Sequence, residues 1–375
     1  MKIKIAIILR SLETGGAERQ AIQIANSLDH KVFDVKVFVF YKKNNDIYKN
    51  NNINFPIIYL NKKNRYDLVF FLYNLYNNIY SFKPDIVHSF LDSPNIFMAI
   101  IKLMGFKYSL IWGIRSSEIQ IKKYNLSRKI GFYIENFLKY IPNHFICNSE
   151  AGKISILKRY FSPNKTVVIH NGIECNKFKY NQEYRFQMRN HFGFSENDFL
   201  IGMVARFDPK KDHLNFIEAA KILLKENSRY RFILISNDID ALNEIIKKEK
   251  LLKSFLVLPL QNNLEKIYNS LDINTLSSSF GEGFPNVLAE GICCGCISVS
   301  TNVGDSSLII NDERLVVNPS DPKSLSDVWL WVSNLNELEK INIRNKGKNY
   351  IANNFSNEIM IKKMTNFYTS MFDIK

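Results

Sequence analysis

Long apolar runs are missing from this sequence. A membrane-spanning helix needs roughly 18 consecutive apolar residues. The two longest candidates, Leu68 to Phe82 and Ile96 to Ile114, are broken by asparagines and by Lys102 and Lys107, so no span is expected. The start of the chain, Met1-Lys2-Ile3-Lys4 followed by Ile5 to Leu9 and then Arg10, has an apolar stretch of about five residues, short of a secretory signal core. A cytoplasmic location is the expectation. Cysteine is also scarce. Five cysteines are an odd number, and the crowded Cys293, Cys294 and Cys296 match neither a disulfide framework nor paired zinc ligands. They read as small buried thiols. With 15 glycines and 10 prolines the chain is neither collagen-like nor linker-dominated, and no repeat of solenoid period is visible.

What is present suits a soluble globular protein: 46% hydrophobic and 23% charged residues over 375 positions, enough for two cores of about 150 to 200 residues each. The net charge of +14 is unevenly placed. Residues 1–190 hold 29 Lys and Arg against 13 Asp and Glu, and residues 191–375 hold 21 against 23. The first half is therefore +16 and the second −2. Solvated lysines would account for this, but an asymmetry of this size favours an anionic partner for the first half, such as a membrane surface.

Short apolar runs alternate with amphipathic segments. Lys2–Leu9 reads as a strand, Arg10–Gly16 as a loop and Ala17–Leu28 as a helix; strands follow at 35–41, 85–89, 109–114, 144–147 and 167–170, with helices at 66–82 and 127–140 between them. After the turn dipeptide Asn171-Gly172 the strands stop until Phe199, and the charged stretch Lys177 to Arg189 reads as a connecting helix. The alternation resumes with strands at 199–205, 231–236, 255–258, 273–277 and 297–300, and Asp321-Pro322 marks a helix start. The expected architecture is α/β, two doubly wound Rossmann-like domains of parallel strands facing an interdomain cleft. The boundaries are a first domain 1–175, a linker 176–197, a second domain 198–355 and a final helix 356–375.

Three loops carry candidate chemistry. Thr14-Gly15-Gly16-Ala17-Glu18 lets a backbone approach a ligand closely at a helix N-terminus, which suits a phosphate; alone, it serves a tight turn equally well. Arg206-Phe207-Asp208-Pro209-Lys210-Lys211-Asp212 places cations after a strand, where they can neutralise a diphosphate leaving group or simply be solvated. Ser279-Phe280-Gly281-Glu282-Gly283-Phe284-Pro285-Asn286 leads into a helix carrying Glu290. Pro285 suits the first helical position, which turns the amides of residues 284–287 toward an anion with a carboxylate on each side.

Gly15-Gly16 with Ala17-Glu18-Arg19, Asn171-Gly172-Ile173, Val204-Ala205-Arg206 with Lys211, and Glu282-Gly283-Phe284-Pro285 with Glu290 together resemble the retaining glycosyltransferases of family 4, of the type that builds bacterial surface polysaccharides and lipid-linked oligosaccharides. The resemblance spans essentially the whole chain and implies the GT-B fold. It implies an enzyme moving a hexosyl or N-acetylhexosaminyl group from a nucleotide-diphosphate sugar, a UDP-sugar, to an acceptor hydroxyl with retention. By position, Arg206 and Lys211 match the cations on the donor diphosphate, and Gly15 and Gly16 match the loop facing it. Glu282 matches the carboxylate at the transferred sugar, Glu290 the one at the ribose, and Gly283, Phe284, Pro285 and Asn286 the donor-binding backbone. The final helix, 357–372, is placed to pack back on the first domain.

One position departs from the family. Where many members carry a site histidine, Trp112-Gly113-Ile114-Arg115-Ser116-Ser117 has Arg115, which can steady anionic groups but is no base at neutral pH. His88 is the alternative, as an acceptor contact or a supporting residue. No D-x-D pair stands where it could hold a metal under the diphosphate, so no metal or cofactor is expected; the cations supply that compensation. The expected partners are the nucleotide sugar, a lipid-linked or saccharide acceptor and an anionic membrane surface at the inner face of the cytoplasmic membrane, where the aromatic and basic residues of Lys62–Phe82 and Lys102–Tyr140, among them Lys122, Lys123, Arg128 and Lys129, would bind. Nucleic acid is not expected, since the basic residues are dispersed. A GT-B epimerase or phosphorylase, or a non-catalytic polyanion-binding protein, are the competing readings.

Overall fold

The computed structural model describes residues 2–13, 15–42, 53–64, 66–117 and 126–372. Thr14, Lys122 and Lys123, singled out above, lie outside the described residues, and Arg128 is described by its backbone alone. The chain forms two compact units, Met1–Gly172 with Glu358–Lys375, and Ile173–Asn357.

The first unit is a seven-stranded parallel sheet built from β1 (Ile3–Leu9), β2 (Phe33–Val39), β3 (Ile57–Tyr59), β4 (Ile86–Phe90), β5 (Ser109–Ile114), β6 (His144–Cys147) and β7 (Thr166–Val168), in the order β3-β2-β1-β4-β5-β6-β7. Strands this apolar bury both faces. One face holds Ile5, Ile7, Val35 and Val37 under α1 (Gly16–Ser27). The other holds Ala6, Ile8, Phe38 and Trp112, which share a core with α2 (Val69–Phe82), α3 (Asp92–Leu103), α4 (Leu126–Leu138) and α5 (Glu150–Leu157).

In the second unit six parallel strands, β8 (Phe199–Val204), β9 (Tyr230–Ser236), β10 (Phe255–Pro259), β11 (Ile273–Leu276), β12 (Ile297–Thr301) and β13 (Val316–Val317), lie in the order β10-β9-β8-β11-β12-β13. The helices are α6 (Gln182–His191), α7 (His213–Leu223), α8 (Ile239–Lys248), α9 (Leu264–Ser270), α10 (Asn286–Cys293), α11 (Ser306–Ile310), α12 (Pro322–Asn334) and α13 (Glu337–Phe355). The charged helix α6 is part of this unit. Arg185 and Arg189 each reach Asp272 at 2.7 Å, and the same carboxylate accepts from the Leu200 amide. Such a buried charge survives only when fully paired.

The last helix, α14 (Asn357–Ser370), lays Met360, Met364 and Tyr368 into the first unit's core beside Ile5 and Phe33. A Tyr368 hydroxyl to His88 Nδ1 bond of 2.7 Å fixes it there.

The strand orders locate the switch points. In the first unit the connections diverge between β1 and β4, and in the second between β8 and β11. Loops after such strands form the crevice that binds ligands in this class of sheet. Residues 10–15 follow β1; residues 205–212 follow β8, and residues 277–285 follow β11.

Candidate active site

The two loops of the second unit's switch point are stitched together. After β8 the chain makes a short 3-10 turn at Pro209–Lys211, capped by the Asp208 side chain on the Lys210 amide, and Asp212 then takes φ +49° to start α7. After β11 the serine run holds this turn. Ser277 Oγ donates to the Lys211 and Asp212 carbonyls at 3.0 Å, and the Ser279 amide donates to the Lys210 carbonyl at 2.8 Å.

That stitching aims Lys211 at Glu282. Nζ stands 2.6 Å from Oε1, and the Ser278 hydroxyl donates to the same oxygen at 2.6 Å. Glu282 is buried. Burial alone would raise its pKa, but the charges of Lys211 and Lys210 and the bonds from Lys211 and Ser278 outweigh it and hold the carboxyl below the usual range. Lys210 is pushed down by burial, against the opposing pull of Glu282. Arg206 is exposed at the start of the loop and adds to the positive field on Lys210. Lys210 and Lys211 therefore flank the ionised Glu282 carboxylate, with Arg206 and Asp208 acting on Lys210 from the same loop. Lys210 and Ser278 join Arg206, Lys211 and Glu282 there; the adjacent lysines and the serine run were their only trace in the sequence.

Glycines let the loop bend. Gly281 takes φ +74°. Gly304, at φ +64°, runs against the backbone of Glu282 and Gly283, where a Cβ would fall 2.5 Å from the Glu282 carbonyl oxygen and 2.7 Å from that of Gly283. The neighbouring Asp305 amide donates to the Gly283 carbonyl at 3.0 Å. No motif pointed to Gly304.

Pro285 is the N-cap of α10, not its first helical residue as expected, because its ψ of 94° is extended; the helix begins at Asn286. Glu290 is still about a turn and a half inside, buried, with the Tyr268 hydroxyl 3.4 Å from Oε2. Phe284 packs its ring on Phe355 of α13 at 5.1 Å.

In the first unit, Gly15 caps α1 without a side-chain bond. A Cβ there would collide with the Glu18 carboxylate, which folds over the loop. Arg115 follows β5. Its Nη1 donates to Asn171 Oδ1 at 2.9 Å and its guanidinium lies 4.5 Å over the Phe90 ring, while Nε and Nη2 are enclosed with no acceptor among the described residues. Burial lowers its pKa to about 10. His88 lies on β4, wholly buried, stacked on Phe90 at 4.3 Å and bonded to Tyr368. Burial, then Arg115, hold it well below 6.5, so at neutral pH the ring is uncharged.

Among the described residues no group of three His, Cys, Asp or Glu side chains is placed to hold a metal ion, and no helix is long and apolar enough to cross a membrane. None of the five cysteines forms a disulfide; the Cys175 and Cys293 sulfurs lie 3.7 Å apart, and burial raises Cys296 to about 12.

Comparison with known proteins places these loops in a family. Residues 14–177 match the family described as Glycosyltransferase Family 4, and residues 185–349 match Glycosyl transferases group 1. The chain is 25% identical over 311 residues, 80% of its length and 79% of the relative's, to the Escherichia coli UDP-Gal:alpha-D-GlcNAc-diphosphoundecaprenol alpha-1,3-galactosyltransferase. It is 27% identical over 338 residues, 86% of this chain and 87% of the other, to a Campylobacter jejuni alpha-1,4-N-acetyl-D-galactosaminyltransferase acting on a GalNAc-bearing diNAcBac-PP-undecaprenol. Anabaena HepE, solved with UDP-glucose, superimposes with a TM-score of 0.85 over 98% of this chain and 100% of its own, at 17% identity. With one glycosyltransferase match in each unit and this likeness in fold, the chain belongs to the family 4 glycosyltransferases and is an enzyme of the GT-B class.

Proposed function

We propose that this enzyme transfers a sugar from a UDP-sugar to a hydroxyl of a saccharide carried on a polyprenyl diphosphate, with retention and without a metal ion. The observation that carries the reading is the Lys211–Glu282 pair at the second unit's switch point, with Lys210 and Arg206 on the same loop. Cations there meet the charge that grows on a departing diphosphate, the largest electrostatic demand of the reaction. Lys211, already oriented by Glu282, needs no reorganisation to donate to a phosphate oxygen. Glu282 accepts from a hydroxyl of the transferred sugar, Glu290 from the ribose, and Gly283 to Asn286 line the donor. In the first unit Gly15 and Gly16 approach the donor phosphates. Arg115 offers its two enclosed N–H groups to an anion, and His88 supports it from the core.

The bond between the anomeric carbon and the β-phosphate oxygen breaks with its electron pair leaving on UDP. The acceptor oxygen bonds the same face of an oxocarbenium-like sugar, and its proton passes to the departing diphosphate. UDP as the nucleotide is supported by the named donor of the Escherichia coli relative and by the UDP-glucose in HepE. A polyprenyl diphosphate acceptor is supported by the undecaprenol-linked substrates of both relatives. Such an acceptor puts the enzyme on the inner face of the cytoplasmic membrane as a peripheral protein, in keeping with the +16 of residues 1–190.

The test is turnover of UDP-sugars with a polyprenyl-diphosphate-linked saccharide in excess EDTA, with the product's anomeric configuration read by NMR. Product with the donor's configuration, formed only when the acceptor is present, is expected. Donor conversion without acceptor would indicate an epimerase, and loss of activity restored by manganese or magnesium would overturn metal independence.

A further inference from the structure

Four of the five cysteines lie in the second unit, three of them at or just beyond the end of α10, and the reaction proposed above uses none of them. Two of them meet. Cys175 Sγ and Cys293 Sγ stand 3.7 Å apart, in contact across 118 positions of the sequence. Cys296 Sγ instead donates to the Tyr268 carbonyl at 2.9 Å, and Cys294 and Cys147 are buried. The touching pair is asymmetric: Cys293 is 1% exposed, whereas Cys175 is half-buried. The bond to Cys175, and then burial, push the Cys293 thiol up, so Cys293 keeps its proton and donates it toward Cys175. The half-buried sulfur is therefore both the acceptor of this contact and the one that solvent reaches. A sulfur that meets the oxidant, touching a second that can resolve it, is the arrangement a redox-sensitive pair needs.

The surroundings give such a bond a consequence. Cys175 follows Ile173, where the chain enters the second unit. The Ile173 amide donates to the Phe355 carbonyl at 2.8 Å, and the Ile173 carbonyl accepts from the amides of Asn357 and Cys175, both at 3.0 Å. That backbone is clamped. Cys293 is the last residue of α10, three positions after Glu290, whose carboxylate acts on the Cys293 thiol. The sulfurs of a disulfide lie about 2 Å apart, so closing the gap draws the end of α10 toward the clamped segment and moves Glu290 with it.

We propose that Cys175 and Cys293 form a modification site, at which hydrogen peroxide makes a reversible disulfide that weakens nucleotide binding. The Cys175 sulfur bonds to one peroxide oxygen, the O–O bond breaks, and the other oxygen leaves with the Cys175 proton as water, giving a sulfenic acid. The Cys293 sulfur then bonds to the Cys175 sulfur, the S–O bond breaks, and hydroxide leaves with the Cys293 proton as a second water. Two electrons pass from the thiols to the peroxide, and a dithiol returns them by exchange. The effect on binding rests on the ribose contact proposed for Glu290; the bond itself does not.

The experiment treats the reduced full chain with hydrogen peroxide, alkylates the remaining thiols after denaturation and maps the peptides by mass spectrometry. UDP binding is measured by calorimetry before oxidation, after it, and after dithiothreitol. Loss of two of the five thiols, a peptide linking Cys175 to Cys293, and a UDP Kd raised by about fivefold or more and restored by dithiothreitol are expected. Cys175→Ser should yield no linked peptide and keep its UDP affinity under the same treatment. Five intact thiols, a different linked pair, or Cys175 oxidised to sulfinic acid without the link would overturn the site. The Cys175–Cys293 peptide with unchanged UDP affinity would overturn the control of binding and leave the donor reading standing. No UDP binding by the reduced protein would overturn the donor reading and the control with it, and the linked peptide would then decide the bond alone.

Discussion

Lys211 Nζ and Glu282 Oε1 lie 2.6 Å apart although 71 residues separate them in the chain. The contact exists because β8 and β11 are neighbours at the point where the sheet's connections diverge, and because Ser277 and Ser279 tie the two following loops together. The ammonium neutralises the carboxylate, Ser278 donates to the same oxygen, and the charge of Lys210 adds to theirs.

Replacing Glu282 by Gln keeps the Ser278 bond and removes the charge. Turnover should fall about 100-fold or more with little change in melting temperature. Lys211→Ala leaves a buried carboxylate with only Lys210 nearby, so a similar loss of turnover should come with about 2–3 kcal/mol of lost stability. Steady-state kinetics and thermal unfolding of the two variants separate these effects; a near wild-type rate in folded Glu282→Gln would remove the glutamate from the mechanism.

Glu290 lies inside α10, and the contact proposed for it, with the ribose, exists before any bond breaks. Glu290→Gln should therefore raise the donor KM and the Kd for UDP, each by about tenfold, with kcat changed far less. Titration calorimetry with UDP checks the binding, and a selective fall in kcat would place the residue at the reacting sugar instead.

Gly304→Ala tests the loop's backing. A Cβ would press on the Glu282 and Gly283 carbonyl oxygens at a φ of +64°, so the variant should lose about 1–3 kcal/mol and show reduced turnover through a displaced Glu282. Unchanged melting and activity would mean that the loop moves aside freely.

His213, buried at the start of α7, has its pKa lowered to about 4, mainly by burial. In the unfolded chain a histidine titrates near about 6.5. Between those values the unfolded chain binds the extra proton, so stability is level above pH 6.5 and falls as the pH drops toward 4. His88, held well below 6.5 in the other unit, acts in the same direction. Melting temperature against pH should decline over this window, and His213→Gln should make the decline shallower. An identical slope in the variant would exclude His213 as a source.

The sequence by itself determined the alternation of strands and helices, because a strand buried on both faces must be continuously apolar and a sheet-covering helix must repeat its apolar positions. Ser109–Ile114 and His144–Cys147 stand where their composition put them. The 3-residue β3 and the 2-residue β13 have too little length for a pattern. Helix α13 carries few apolar residues and went unassigned in the sequence, although the Asn336–Glu339 capping box marks its start. The motifs singled out Lys211, Glu282 and Glu290, of which the structure brings the first two together and leaves Glu290 inside α10.

Tertiary structure decided what met what. Strand order brought Lys211 to Glu282, and the return of α14 placed Tyr368 on His88 across 280 residues. The approach of Gly304 to the Glu282 loop has no local cause. Periodicity gave α4 an apolar stripe, but it cannot tell inside from outside. Only the packing, with Glu135 drawn onto Arg159 and Phe137 left outward, fixed which way that helix faces.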